Sequence, residues 1–309
     1  ANKEQLYALL GDFWDEIRDA IAESRGIDAV LIDEVANNIS VRLAEDAKEL
    51  SLVDDLLFED ELDALLKDKL GDDIELSKIS FMEYTVDERM FGIDMSDSDS
   101  IMEIFEEDED DEKLGGDVAV IYAVGGIESG KGDATTIGSV TIAEAIKRAR
   151  LAPDVKAVVL RVNSPGGSAL ASDVIWRETV LLKEAGKHFV VSMSDLAASG
   201  GYYISCAADK IYANATTITG SIGVFGVIPN IGGAYEKHLG VSFDKIQTHD
   251  HAGSPDGLFA MSQYEMDAIN EVIIDIYDDF TSKVAEGRGL SGEDVEEVAR
   301  GRVWTGEDA

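Results

Sequence analysis

Apolar residues recur at two different spacings along this chain, and the change of spacing divides it. Over residues 1 to about 75 the period is helical: Leu6, Leu9, Leu10, Phe13, Trp14, Ile17 and Ile21 share one stripe, with Gly26 placed to stop the helix. That stripe is expected to be buried. A second set, Leu52, Leu56, Leu57, Leu62, Leu65, Leu66 and Leu70, ends at Gly71, so this region reads as helices packed on something else. Residues 77–91 are compatible with a strand.

From residue 117 the pattern alternates between strand and helix. Strands are predicted at 118–124, 155–162 and 188–193, and helices at 140–150, 168–185 and from 199 onward. Apolar, β-branched runs such as Val155-Lys156-Ala157-Val158-Val159-Leu160, joined by helices, argue for an α/β domain with a largely parallel sheet covered on both faces. Further on come strand-like stretches at 210–213 and 241–247 and a long helix near 262–287. A short helix opens at Ser291, where Ser-Gly-Glu-Asp suits an N-cap. The expected domains are 1–116, helical with an acidic linker, and 117–309.

Charge removes one class of partner. Against 26 Lys+Arg stand 63 Asp+Glu, a formal charge of −37 over 309 residues, and no basic patch offsets it, so nucleic acid is not an expected ligand. The acidity fits solubility or a saline habitat. The unbroken run from Glu106 to Glu112 repels itself and reads as a solvated linker. Asp94, Asp97 and Asp99 lack the ligand frame and central glycine of a calcium loop, and no metal or cofactor is expected. A single cysteine, Cys206, permits no internal disulfide, and no run approaches the length of a membrane span.

Candidate chemistry gathers at two junctions, Arg161-Val162-Asn163-Ser164-Pro165-Gly166-Gly167-Ser168 and Asp195-Leu196-Ala197-Ala198-Ser199-Gly200-Gly201-Tyr202-Tyr203. Each follows a buried strand and opens a helix. Glycine there lets N–H groups converge at the positive end of a helix dipole, which is how an oxyanion hole is made, and it would leave the Ser199 hydroxyl accessible. The same residues also suit a plain helix cap. Neither phosphate-binding glycine motif is present. For a base, Thr248-His249-Asp250-His251 allows a Ser/His/Asp arrangement to be drawn, while His188 and His238 read as structural, and a lysine with a lowered pKa is the other option.

At these residues the sequence resembles the signal peptide peptidase A (protease IV) family, membrane-anchored bacterial serine peptidases with a fold related to ClpP and the crotonases. The matching stretches are Leu160–Gly167, Val191–Met193 with Ala197–Ser205, Thr219-Gly220-Ser221-Ile222-Gly223-Val224-Phe225-Gly226 and Gly301-Arg302-Val303-Trp304-Thr305-Gly306. The resemblance covers nearly all of 117–309 and, more weakly, 1–90. It implies a ClpP/crotonase-like core, Ser199 as nucleophile, an oxyanion hole from the N–H groups of Gly167 and Gly200 in preference to Gly166, and Ser221 orienting the base.

The family's base is a lysine, and here the sequence departs from the pattern. The short family form carries it about fifty residues after the serine, where this chain reads Gln247-Thr248-His249-Asp250-His251-Ala252-Gly253. The long form has two tandem halves, with the lysine in the first and the serine in the second, and Phe225-Gly226-Val227 fits that form. Residues 1–90 would then close the first half, and the chain would be a fragment whose lysine and membrane anchor lie upstream. Lys113 and Lys131 match no family position. The resemblance implies a serine endopeptidase degrading cleaved signal peptides or similar apolar peptides. It would act as a homo-oligomer on the periplasmic side of a bacterial inner membrane. Two other readings share these motifs: a non-catalytic peptide-binding or assembly scaffold, and a crotonase-like acyl-thioester enzyme, which lacks a basic clamp for coenzyme A phosphates.

Overall fold

The computed structural model describes residues 2–71, 116–133 and 135–309. The strand expected within 77–91, Asp94, Asp97, Asp99, the acidic run 106–112 and Lys113 lie outside them. The described residues divide between two compact units, one drawn from residues 1–42 with 113–309 and one from 43–112.

In the larger unit, strands β1 (Val118–Val124), β4 (Ala157–Ser164) and β5 (His188–Ala198) run parallel and adjacent. The sheet continues from β5 to β7 (Ile218–Gly220), also parallel, and then to β8 (Val303–Thr305), which is antiparallel to β7. Strand β6 (Lys210–Tyr212) pairs with the first half of β5. A second, two-stranded parallel sheet holds β2 (Gly126–Glu128) and β3 (Thr136–Gly138). This is the largely parallel α/β fold that the alternating pattern predicts.

Period-two burial explains why these segments are strands. Val158, Leu160 and Val162 of β4 alternate inward beside Phe189, Val191 and Met193 of β5, all at or below 2% exposure. Ile142 and Ile146 of helix α5 (Ser139–Leu151) and Ile175 and Leu182 of α6 (Ala169–Glu184) pack into the same core. Because both crossover helices lie on that face, the other face is not closed as the sequence suggested. Val120 and Tyr122 of β1 remain 52% and 68% exposed, and Arg161 on β4 reaches across to Ser192 Oγ, Met193 O and Ser194 Oγ.

The N-terminal stripe also departs from expectation. Helix α1 (Asn2–Arg25) ends before Gly26 as predicted, but it buries no residue. Helix α2 (Ala29–Asn37) packs along it, so Leu10, Trp14 and Ile21 are half-covered while Leu6, Leu9, Phe13 and Ile17 stay open. Trp14 Nε1 donates to Asp33 Oδ1 on α2 at 2.6 Å. In the smaller unit, α3 (Ala44–Glu49) precedes α4 (Glu59–Leu70), which holds Leu62, Leu65, Leu66 and Leu70 and stops at Gly71, whereas Leu52, Leu56 and Leu57 lie in the turn and loop before it.

Three boundaries toward the site differ from the sequence reading. Strand β5 runs five residues past 193, and the helix after it, α7 (Gly200–Tyr203), is a single turn. Residues 241–247 form no strand, because they follow the left-handed cap Gly240 of α8 (Gly232–Leu239) and turn Phe243 edge-on against Tyr235. The long helix α9 (Gln263–Arg288) and the short α10 (Gly292–Val298) form as expected, the latter capped by the Ser291 hydroxyl on Asp294 N–H.

Candidate active site

The first glycine turn is shaped by three hydrogen bonds. Ser164 Oγ accepts from Gly166 N–H at 3.1 Å, Gly166 O accepts from Ile127 N–H, and Ser168 N–H donates to Ile127 O. Between these bonds the Gly167 N–H finds no acceptor among the described residues. A Cβ on Gly167 would lie 2.1 Å from Ile127 O, so only glycine fits against that backbone. Ser168 then caps α6 through Ala171 N–H.

The second turn forces Ser199 into a sparsely populated backbone conformation, φ 52° and ψ −122°. Its N–H donates to Gly220 O at 3.0 Å, and its carbonyl accepts from the N–H groups of Tyr202 and Tyr203. Gly200 N–H opens α7 and has no acceptor among the described residues. The two turns interlock: a Cβ on Gly166 would fall 2.5 Å from Gly200 N and 2.8 Å from Ser199 Cβ, and one on Gly200 would fall 3.1 Å from Gly167 N. Residues about thirty positions apart thus present Ser199 and the N–H groups of Gly167 and Gly200 side by side.

A third segment joins them. Ser221, also at positive φ (48°), donates its N–H to Arg302 O at 2.7 Å, and Gly220 packs against the Trp304 ring. The Thr219–Gly226 and Gly301–Gly306 motifs, distant in sequence, meet here because β7 and β8 pair Thr219 with Trp304.

Ser199, Gly166, Gly167, Gly200 and Ser221 open on one cavity of about 340 Å³, walled by Pro165, Ala169, Tyr203, Val224, Phe225, Ile276 and Phe280. It is an apolar slot with an exposed rim, since Phe225 is 83% accessible. Among the described residues that line it, none is a lysine or a histidine.

The histidines are engaged elsewhere. His249 stacks edge-on against Trp14 with Nε2 3.6 Å from Asp33 Oδ1, and His251 stacks on Tyr264 with Nδ1 3.3 Å from Glu265 Oε1. The Ser/His/Asp arrangement drawn from sequence therefore does not form, because both rings serve carboxylates outside the cavity. His188 lies 4.0 Å from Asp209 at the start of β5, and His238 lies in the last turn of α8. Lys131 is not part of the cavity wall.

Glu265 has a pH consequence. Burial alone would raise its pKa, but Ser262 N–H, the Ser254 and Ser262 hydroxyls and His251 outweigh that and hold it at about 2. A depressed acid contributes stability that is complete above its unfolded pKa and is lost as pH falls through the folded value. Glu265→Gln, which keeps the capping box at the start of α9, is expected to cost about 2 kcal/mol at pH 7. The gap to wild type should close toward pH 2, as read by urea unfolding at several pH values.

One constellation was not found from sequence. Lys283 Nζ on α9 reaches Asp173 Oδ1 at 2.5 Å, Asp279 Oδ2 at 2.6 Å and the Tyr203 hydroxyl at 3.0 Å. That hydroxyl lies 2.7 Å from Asp279 Oδ2, and burial together with the two carboxylates pushes the Tyr203 phenol far up, so it stays protonated. The Asp279/Lys283 spacing is legible as a helical i,i+4 pair, but its partners come from α6 and α7. Cys206, beneath the same region, is buried, and its thiol is pushed up to about 12 by desolvation, which makes it inert.

Among the described residues no helix is long and apolar enough to cross a membrane, and no cluster of His, Cys, Asp and Glu could hold a metal ion. Residues 181–309 match the model of Peptidase family S49. The chain is 44% identical over 199 residues to Protease 4 of Salmonella typhi, covering 63% of this chain and 31% of that protein. It is 42% identical over 192 residues to Protease 4 of Haemophilus influenzae, covering 62% and 31%. With the chloroplastic serine protease SPPA of Arabidopsis thaliana the identity is 34% over 320 aligned positions, covering all of this chain and 44% of that protein. The chain therefore spans between about a third and a half of the length of these relatives. The aligned family region contains Ser199, Gly200, Ser221 and the Gly301–Gly306 motif, so residues 181–309 are a Peptidase family S49 region in a chain similar to proteins named Protease 4 and SPPA.

Proposed function

We propose that this chain carries the nucleophile of a serine endopeptidase acting on apolar peptides, cleaved signal peptides among them. The observation that carries the reading is Ser199, held in a strained turn at the mouth of an apolar cavity beside two unspent N–H groups. In the reaction, Ser199 Oγ attacks the scissile carbonyl carbon as its proton passes to a base. The N–H groups of Gly167 and Gly200 hold the resulting oxyanion, and Ser221 orients the base. The tetrahedral intermediate then expels the amine, which takes the proton from the base, and water attacks the acyl carbon, breaking the ester to Ser199 Oγ, so that the acid product leaves and Oγ regains its proton.

The base in this reading is a lysine brought to the cavity from outside its described wall or by a second copy, since among the described residues that wall offers neither lysine nor histidine. The apolar walls favour small or aliphatic side chains in an extended segment, which suits products of signal-peptide cleavage at a bacterial membrane surface, with assembly as a homo-oligomer. The test is digestion by the full-length protein of a synthetic leucine- and alanine-rich peptide beside a charged peptide of equal length, with products read by mass spectrometry. Cuts within the apolar stretch, absent in Ser199→Ala, support the proposal; equal cutting of both peptides, or cutting retained in the variant, contradicts it.

A further inference from the structure

Resting on the peptidase reading, we propose that Lys283 is a positioning residue that fixes the aim of the Ser199–Gly200 turn through Tyr203. Helix α7 is one turn of four residues, too short to hold its own geometry, and it begins beside a residue at φ 52°. A conformation of that kind persists only where its surroundings over-determine it. Backbone bonds from Tyr202 and Tyr203 to Ser199 O close the turn on itself, but they do not tie it to the walls of the cavity.

Tyr203 supplies that tie. Its ring stacks on Phe280 of α9 with centroids 4.6 Å apart, and its hydroxyl sits between Asp173 of α6 and Asp279 of α9. Asp173 adjoins Ser172, whose Oγ would be 2.6 Å from a Cβ on Gly200, so α6 backs directly onto the oxyanion turn. The Lys283 ammonium pairs with both carboxylates, offsetting one of their two charges, and lies 4.5 Å from the Trp176 ring centroid, with its side chain only 13% exposed. Its three N–H bonds are taken by Asp173, Asp279 and Tyr203, and it does not line the cavity, so it acts on the site only through these partners.

Without that charge, two carboxylates would face one phenol oxygen, and repulsion would spread α6 from α9. Displacement of the turn between them would spoil the approach of Ser199 Oγ and the aim of Gly200 N–H. A misplacement of about 1 Å is enough to cost on the order of 100-fold in rate. Substrate contacts with Val224 and Phe225, which lie on neither helix, would be left in place.

The experiment compares full-length wild type, Lys283→Met, the charge-balanced pair Asp173→Asn with Lys283→Met, and Tyr203→Phe. It measures kcat, KM, melting temperature and the rate of fluorophosphonate labelling at Ser199. The expected result for Lys283→Met is a kcat about 10–100-fold lower, a labelling rate reduced in parallel and KM within about 3-fold. The charge-balanced pair should recover kcat to within about 3-fold of wild type, and Tyr203→Phe should move in the same direction as Lys283→Met. If Lys283→Met fails to fold, the other two variants decide. Wild-type kcat and labelling in Tyr203→Phe and Lys283→Met, or a loss confined to KM, overturns the positioning role. Wild type that neither labels at Ser199 nor cleaves peptide overturns the peptidase reading itself, which separates the two failures.

Discussion

Ser199→Ala is expected to remove peptide hydrolysis, lowering kcat by on the order of 10⁴ to 10⁶, while the protein stays folded. The size follows from chemistry: Ser199 Oγ is the attacking atom, and binding with oxyanion stabilisation alone gives only a small residue of catalysis. Stability should move the other way. Ser199 holds a positive φ that a side chain occupies at a cost, so Ser199→Gly is expected to be more stable than Ser199→Ala by about 1 kcal/mol and equally inactive. Steady-state assay with thermal unfolding of the two variants checks both halves. A variant that loses activity only because it unfolds would undo the argument.

Gly167→Ala should produce the second largest loss. The added Cβ would meet Ile127 O at 2.1 Å, Ile127 N at 2.7 Å and Ile127 C at 2.8 Å, all backbone atoms that cannot rotate away. The bridge between Ile127 and Gly167 must open, and the Gly167 N–H swings off its target. Expected outcomes are a stability loss of about 1–3 kcal/mol and a kcat lower by about 10² to 10³, with Ser199 intact. Gly233→Ala is the matched control, because a Cβ there meets nothing within 4 Å and α8 favours alanine by up to about 1 kcal/mol. That variant should keep wild-type kcat.

Much of the site could be read from the chain because its parts are local. Glycine pairs after apolar, β-branched runs mark turns whose backbone must approach something, and both turns stand where the sequence places them. The parts left out depend on distance. Whether the second face of a parallel sheet is covered depends on which side the crossover helices take, and α5 and α6 take the same side, leaving Tyr122 exposed. His249 and His251 looked available as bases because Asp33 and Glu265, which occupy them, lie 216 and 14 positions away. The Lys283 cage joins three helices by contacts spanning 110 and 80 positions, and no spacing rule reports such a group. In α1 the helical period identifies the helix but not a buried face, because its neighbours cover Leu10, Trp14 and Ile21 only in part.

The most direct test of the central claim is fluorophosphonate labelling of the full-length protein from pH 6 to 10, with the modified residue identified by mass. A single adduct on Ser199 is expected, formed faster as pH rises through a midpoint above the histidine range, slowed in Gly167→Ala and absent in Ser199→Ala. No adduct on Ser199 at any pH, or an adduct on another residue that survives in Ser199→Ala, would contradict it.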